Sequence, residues 1–184
     1  MKLSNKWLLL LPYSLYLYVL LKVILFKFGS VDISVLWQQL HRATEIPEYA
    51  QNRLQFANFT PFESIRMNMR HLSSPHDVIN LFGNIAIFMP NGIFVGLMLR
   101  SKFLGFIGSF TTSLGLSLAL ECSQLVFSMG SFDVDDLILN TAGGVLGYGV
   151  FLMLILIFSG TTLPMDERRE RTDKPLTGNE QVRN

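Results

Sequence analysis

Cysteine is nearly absent from this chain, with one, Cys122, in 184 residues. A lone cysteine excludes an intramolecular disulfide, leaves the redox compartment open and reads as a small buried hydrophobe. An excess of charge is missing too: 15 Lys and Arg stand against 14 Asp and Glu. That balance gives no basic surface to attract nucleic acid. The three histidines, His41, His71 and His76, are scattered and not at ligand spacing, so neither a metal nor a cofactor is expected. The chain has no HExxH pair, no P-loop and no recognisable Ser/His/Asp set. The familiar soluble hydrolase and nucleotidase chemistries therefore lack their residues.

Long apolar runs are what the chain does have. Apolar residues make up 49% of it, gathered in blocks rather than at the period of a soluble amphipathic core. Four blocks reach the roughly 20 residues that cross a bilayer's hydrocarbon. They run from Trp7 to Phe26, Pro75 to Leu99, Phe103 to Phe127 and Val134 to Phe158. Lys2 and Lys6 resemble the start of a signal peptide, but the first block is too long for one and no small-residue cleavage site follows. It reads as a retained helix from which Lys22 snorkels to the nearer interface. The expected fold is all-α and polytopic, with about four transmembrane helices and a helical extracytoplasmic loop. Its parts are residues 1–28 as the first span, 29–74 as the loop, 75–160 as a three-helix core and 161–184 as a disordered cytoplasmic tail.

Two short helices are expected in the loop. The first covers Asp32 to Arg42; the second opens at Thr60-Pro61-Phe62-Glu63 and ends near Ser73. Thr60 suits the N-cap, Pro61 the first position and Glu63 the return arm of a capping box. Ser74-Pro75-His76-Asp77 repeats that grammar at the second span, where Pro90 predicts a kink. Lys and Arg counts favour both termini inside, since Lys2, Lys6, Arg100, Lys102 and Arg168-Arg169-Arg171 then face the cytoplasm. The turn SMGSFDVDD carries no basic residue and would lie outside; Lys27, Arg66 and Arg70 count the other way.

With four antiparallel spans, the polar residues of the last three fall on one side of the membrane. Asn80 and Asn84 begin the second span, Glu121 and Gln124 end the third, and Asp136 and Asn140 begin the fourth. Each pair is three or four residues apart and shares a helix face. Glu121 would lie about 9 Å deep. Gly143 and Gly147 form a G-x-x-x-G pair that admits a close neighbour. These groups predict a polar pocket inside one membrane face. Each also has a plainer role. Asp133 and Asp136 suit an N-cap and first turn, the amides suit interhelical bonding, and Met67, Met69 and Met89 suit packing. A carboxyl at the depth of Glu121 must be protonated or paired, and is a functional candidate by default.

The stretches Asn58-Phe59-Thr60-Pro61-Phe62, Asn80-Leu81-Phe82-Gly83-Asn84 with Phe88-Met89-Pro90, and Glu121-x-x-Gln124 followed by Phe132-Asp133-Val134-Asp135-Asp136 and Asn140-Thr141-x-Gly143-Gly144 resemble the VanZ-like family of bacterial membrane proteins. The resemblance spans residues 53 to 150 and implies a multi-helix protein of the cell envelope. The family takes its name from a member linked to resistance to teicoplanin, a glycopeptide antibiotic. Family members often carry a basic residue shortly before the Asp cluster, where this chain has Met129, Gly130 and Ser131. An anionic ligand would then call on Arg53 or Arg66 instead.

Two functions remain open at this point. In one, an outer pocket binds a lipid, a lipid-linked glycan or an amphiphilic antibiotic through Asn58, Asn84, Glu121, Gln124, Asp133, Asp135, Asp136 and Asn140. In the other, the chain is a membrane-embedded enzyme, with Glu121 or Asp136 as general acid or base or as ligands of a hard cation.

Overall fold

A computed structural model describes residues 3–26, 32–99 and 101–160. Helix α1 (Leu3–Phe26) is followed by three loop helices, α2 (Ile33–Glu45), α3 (Pro47–Gln55) and α4 (Glu63–Arg70). Then α5 (Pro75–Val78) passes through a π turn (Ile79–Gly83) into α6 (Asn84–Met98), before α7 (Lys102–Val126) and α8 (Val134–Gly160). Four segments are long and apolar enough to cross a membrane: Leu8–Phe26, Pro75–Met98, Lys102–Val126 and Val134–Phe158. The chain is an all-α polytopic membrane protein, as its apolar blocks predict. Arg100 and the tail from residue 161 lie outside the described residues, and with them part of the charge asymmetry and the expected disorder.

Apart from a small core of Leu20, Phe88 and Leu120, many large apolar side chains point outward here and small or polar ones inward, the reverse of a soluble core. Leu8, Leu11 and Phe103 are more than two-thirds exposed, whereas Ser109, Ser113 and Ser117 are fully buried. Hydrocarbon solvates leucine as well as a protein interior does, so close backbone approach and hydrogen bonds must hold the helices together. Glycines provide the approach. A methyl group on Gly92 would overlap the Gly144 carbonyl, one on Gly143 the Ile85 carbonyl, and one on Gly147 the Met89 carbonyl. Side chains provide the bonds. Asn91 donates to Thr112 Oγ1 (3.0 Å) and Ser113 Oγ (2.8 Å), and accepts from the Tyr13 hydroxyl (2.9 Å). Ser109, Ser113, Ser117 and Glu121 recur every fourth residue, giving α7 one buried polar stripe. That stripe turns Cys122 outward, so it is exposed rather than buried.

The structure forms one compact unit up to Leu152. The end of α8, from Met153, is a second unit whose side chains through Phe158 are exposed.

The loop departs from its expected form in several ways. It holds a third helix, α3, which Pro47 opens at its first turn. Asp32, expected as the first residue of α2, is its N-cap, its carboxylate accepting from Ser34 N (2.9 Å) and the Ser34 hydroxyl (2.6 Å). The Ser34 hydroxyl, then the N–H groups of Val35 and Ser34, hold this carboxyl below its ordinary range. Thr60 is not a cap. Helix α4 starts at Glu63 after Phe62, which adopts a left-handed φ of 66°, and it ends at Arg70, short of Ser73. Ser74 likewise makes no side-chain cap at Pro75. Helix α6 runs through Pro90, and a π turn precedes it. Met67 and Met69 are exposed rather than packed.

Candidate functional site

The loop is fastened to the turn between α7 and α8 at three places. The Tyr49 hydroxyl meets Ser128 Oγ, and Arg53 donates to the Gly130 carbonyl. Asn58 forms a single parallel β-bridge there: its N–H bonds Phe132 O (2.8 Å), and its carbonyl accepts from Val134 N (3.0 Å). The aromatic rings of Phe59 and Phe132 stack beside the bridge, 5.4 Å apart.

This docking gives the acidic run at the start of α8 its partners. Asp133 Oδ1 accepts from Asn58 Nδ2 (2.9 Å) and from Asp135 N (2.8 Å), while Oδ2 accepts from the Ser64 hydroxyl (2.5 Å). It therefore caps its own helix and ties it to α4. Asp135 is fully buried, with its two oxygens on Phe62 N (2.5 Å) and Ile65 N (3.0 Å). An aspartate of α8 thus serves the N-terminus of α4, where unpaired N–H groups and the helix dipole favour an anion. This bond replaces the cap expected from Thr60. Glu121, 2% exposed, accepts from Asp133 N at 2.9 Å. Its carboxylate holds the turn that starts α8.

Asp136 differs from its neighbours, because its bond comes from Asn84 Nδ2 (2.6 Å) on another membrane helix. One turn further on, Asn140 is 3% exposed and donates to Ser117 Oγ (2.9 Å), while its Oδ1 is buried with no hydrogen-bond partner.

These groups open on a pocket of about 530 Å³. Its walls are the end of α1 (Val23, Ile24), helix α4 (Ser64, Met67, Asn68), the π turn region (His76, Asn80, Asn84), Gln124 with the turn Met129–Ser131, and α8 from Asp133 to Asn140. Of the six polar residues that spacing puts on one side of the membrane, Asn80, Asn84, Gln124, Asp136 and Asn140 line this cavity, and Asp133 and Asp135 line it with them. Two expected site residues are not in its wall. Asn58 lies behind Asp133 as its hydrogen-bond donor, and Glu121 lies beneath the turn. Gln124 is in the wall, but its amide also donates to Ile24 O (3.2 Å), tying α7 to α1. His76 and Ser64 were not expected there. Arg53 is bonded to the Gly130 carbonyl and Arg66 is exposed, so neither supplies the wall with a cation. Among the described residues, no three His, Cys, Asp or Glu side chains are grouped to hold a metal ion.

A second, smaller groove of about 140 Å³ lies between α1 and α7, lined by Leu17, Leu20 and Leu21 of α1 and Leu116, Ala119, Leu120 and Ser123 of α7.

No solved structure matches this chain. The protein named Protein VanZ from Enterococcus faecium is 33% identical to it over 138 residues, 75% of this chain and 70% of that protein. The family profile described as VanZ/LLP1 matches residues 8–175, a range that takes in all four membrane helices and the whole pocket. This multi-pass membrane protein therefore belongs to the VanZ/LLP1 family.

Proposed function

We propose that this protein binds the polar head of a membrane amphiphile in the pocket between the loop and the membrane helices, at the outer face of the membrane. The candidates are a lipid, a lipid-linked glycan or an amphiphilic antibiotic. One observation carries the reading: a polar cavity and an apolar groove both take wall residues from α1 and α7. Val23, Ile24 and Gln124 belong to the cavity, and Leu20, Leu21, Leu120 and Ser123 to the groove. A head group could sit among Asn80, Asn84, Asp136 and Asn140 while a hydrocarbon tail follows α1 and α7. Pockets of this kind, mostly preformed with a few convergent polar groups, are the usual form of a small-molecule site. The two-termini-inside orientation drawn from the Lys and Arg counts puts this pocket on the outer side.

An enzymatic reading draws less support from the geometry. Glu121 is bonded to a backbone N–H outside the wall, and Asp133 and Asp135 serve as caps. Acid–base work would fall to Asp136 and to His76, which is at the exposed edge of the wall.

The test is native mass spectrometry of the full-length protein in mild detergent, with lipid extraction from the same sample. Wild type should retain an amphiphile that an Asn84→Ala/Asp136→Ala variant loses. A wild-type protein of normal stability that is empty, or equal retention by the variant, would overturn the proposal.

A further inference from the structure

The acceptors and donors in the pocket wall are out of balance, and the imbalance has a chemical meaning. Three aspartates line the cavity, and Lys and Arg are absent from its described wall. Lys22, next in the chain to the wall residue Val23, and Arg53, bonded to Gly130 O, are not in it. Asp133 and Asp135 have both oxygens bonded to protein donors. Asp136 has one hydrogen-bond donor, from Asn84. Four residues deeper on the same face, about 6 Å along the axis, the buried Oδ1 of Asn140 has none. Its Nδ2 is held by Ser117, which keeps the oxygen on the other side of the amide. A buried carbonyl without a donor has lost its bonds to water and gained none in return, and so a ligand that donates to it gains by doing so.

We infer that the pocket takes a primary ammonium group, seated between the Asp136 carboxylate and the Asn140 Oδ1. This rests on the amphiphile reading above and names the class of head group. The ammonium brings three N–H donors and no acceptor. It can give a charge-assisted bond to Asp136 and a second bond to Asn140, offsetting part of the wall's negative charge. A phosphate or carboxylate would bring more acceptors to a wall that already has an excess. A quaternary ammonium has the charge but no N–H to give Asn140.

The experiment titrates full-length protein in mild detergent with three lipids of the same acyl chains, read by native mass spectrometry. Phosphatidylethanolamine carries a primary ammonium, phosphatidylcholine a quaternary one, and phosphatidylglycerol none. Wild type should bind phosphatidylethanolamine at least fivefold more tightly than either of the others. Asp136→Asn and Asn140→Leu should each remove most of that preference. The comparison among lipids on wild type needs no variant to fold. Equal or tighter binding of phosphatidylglycerol or phosphatidylcholine, with pocket dependence kept, overturns the ammonium assignment and leaves the amphiphile reading standing. Lipid binding that neither substitution changes, in variants of unchanged thermal midpoint, overturns both. A separate arm adds ethanolamine alone. If it stabilises the protein as strongly as the lipid does, in an Asp136-dependent manner, the ammonium assignment stands and the amphiphile reading falls.

Discussion

Three neighbouring aspartates show how much a residue's role depends on what the rest of the chain brings to it. Asp133 caps α8, Asp135 caps α4 from another element, and Asp136 reaches a pocket. Asp135→Ala should cost about 0.5–2 kcal/mol, the usual range for a lost N-cap, measured as a lower thermal midpoint in detergent. Asp135→Asn should cost less, because its amide oxygen still accepts one N–H. Glu121 gives the sharper contrast. Its recorded bond is from Asp133 N, and a carboxamide oxygen can accept the same bond. Glu121→Gln should therefore keep the thermal midpoint and the lipid binding of wild type. Glu121→Leu leaves that N–H without its acceptor and should lose about 1–3 kcal/mol. Full loss of lipid binding in a folded Glu121→Gln protein would restore Glu121 as a titrating functional group.

Among the elements, α6, α7 and α8 pack through glycine and serine. Gly144 faces the Ser113 side chain, and any Cβ there would overlap the Ser113 hydroxyl. A Cβ at Gly115, on the same α7, would meet nothing within 4 Å. Gly144→Val should thus destabilise by at least the roughly 1–3 kcal/mol of ordinary overpacking, while Gly115→Ala should be neutral or gain up to about 1 kcal/mol from helix propensity. Paired thermal unfolding of the two variants checks this; equal midpoints would contradict the close packing. The G-x-x-x-G spacing pointed to Gly143 and Gly147. It did not point to Gly92, whose partner is the Gly144 carbonyl of a helix far along the chain. Nor could the residue pattern show the β-bridge of Asn58, since one residue paired across 75 positions leaves no periodic trace.

For the whole molecule, the Lys and Arg near the helix ends predict that both termini lie inside. In intact cells of a Cys122→Ser background, a cysteine introduced at Thr44 in exposed α2 should react with a membrane-impermeant maleimide. One introduced at Ser101 should react only after permeabilisation. The opposite pattern would invert the protein and place the pocket on the cytoplasmic side. Loop and membrane helices together make the cavity, for Ser64, Met67 and Asn68 of α4 face the same space as Asn84 and Asn140. The loop is thus a wall of the site and not a tether between spans.

Read alone, the sequence determined the four membrane helices, their limits to within a residue or so, and which ends share a side. Those features follow from hydropathy and chain length, which are local quantities and need no partner. It also brought six polar residues to one side of the membrane, because antiparallel spans leave few choices of depth. Tertiary structure decided what each of those residues does. A carboxylate in hydrocarbon must find a donor, and whether that donor is a backbone N–H beneath a turn, as for Glu121, or an amide in a cavity wall, as for Asp136, depends on where the loop docks. Thr60 lost its expected capping role for the same reason: Asp135, distant in the chain, holds the helix N-terminus with both carboxyl oxygens.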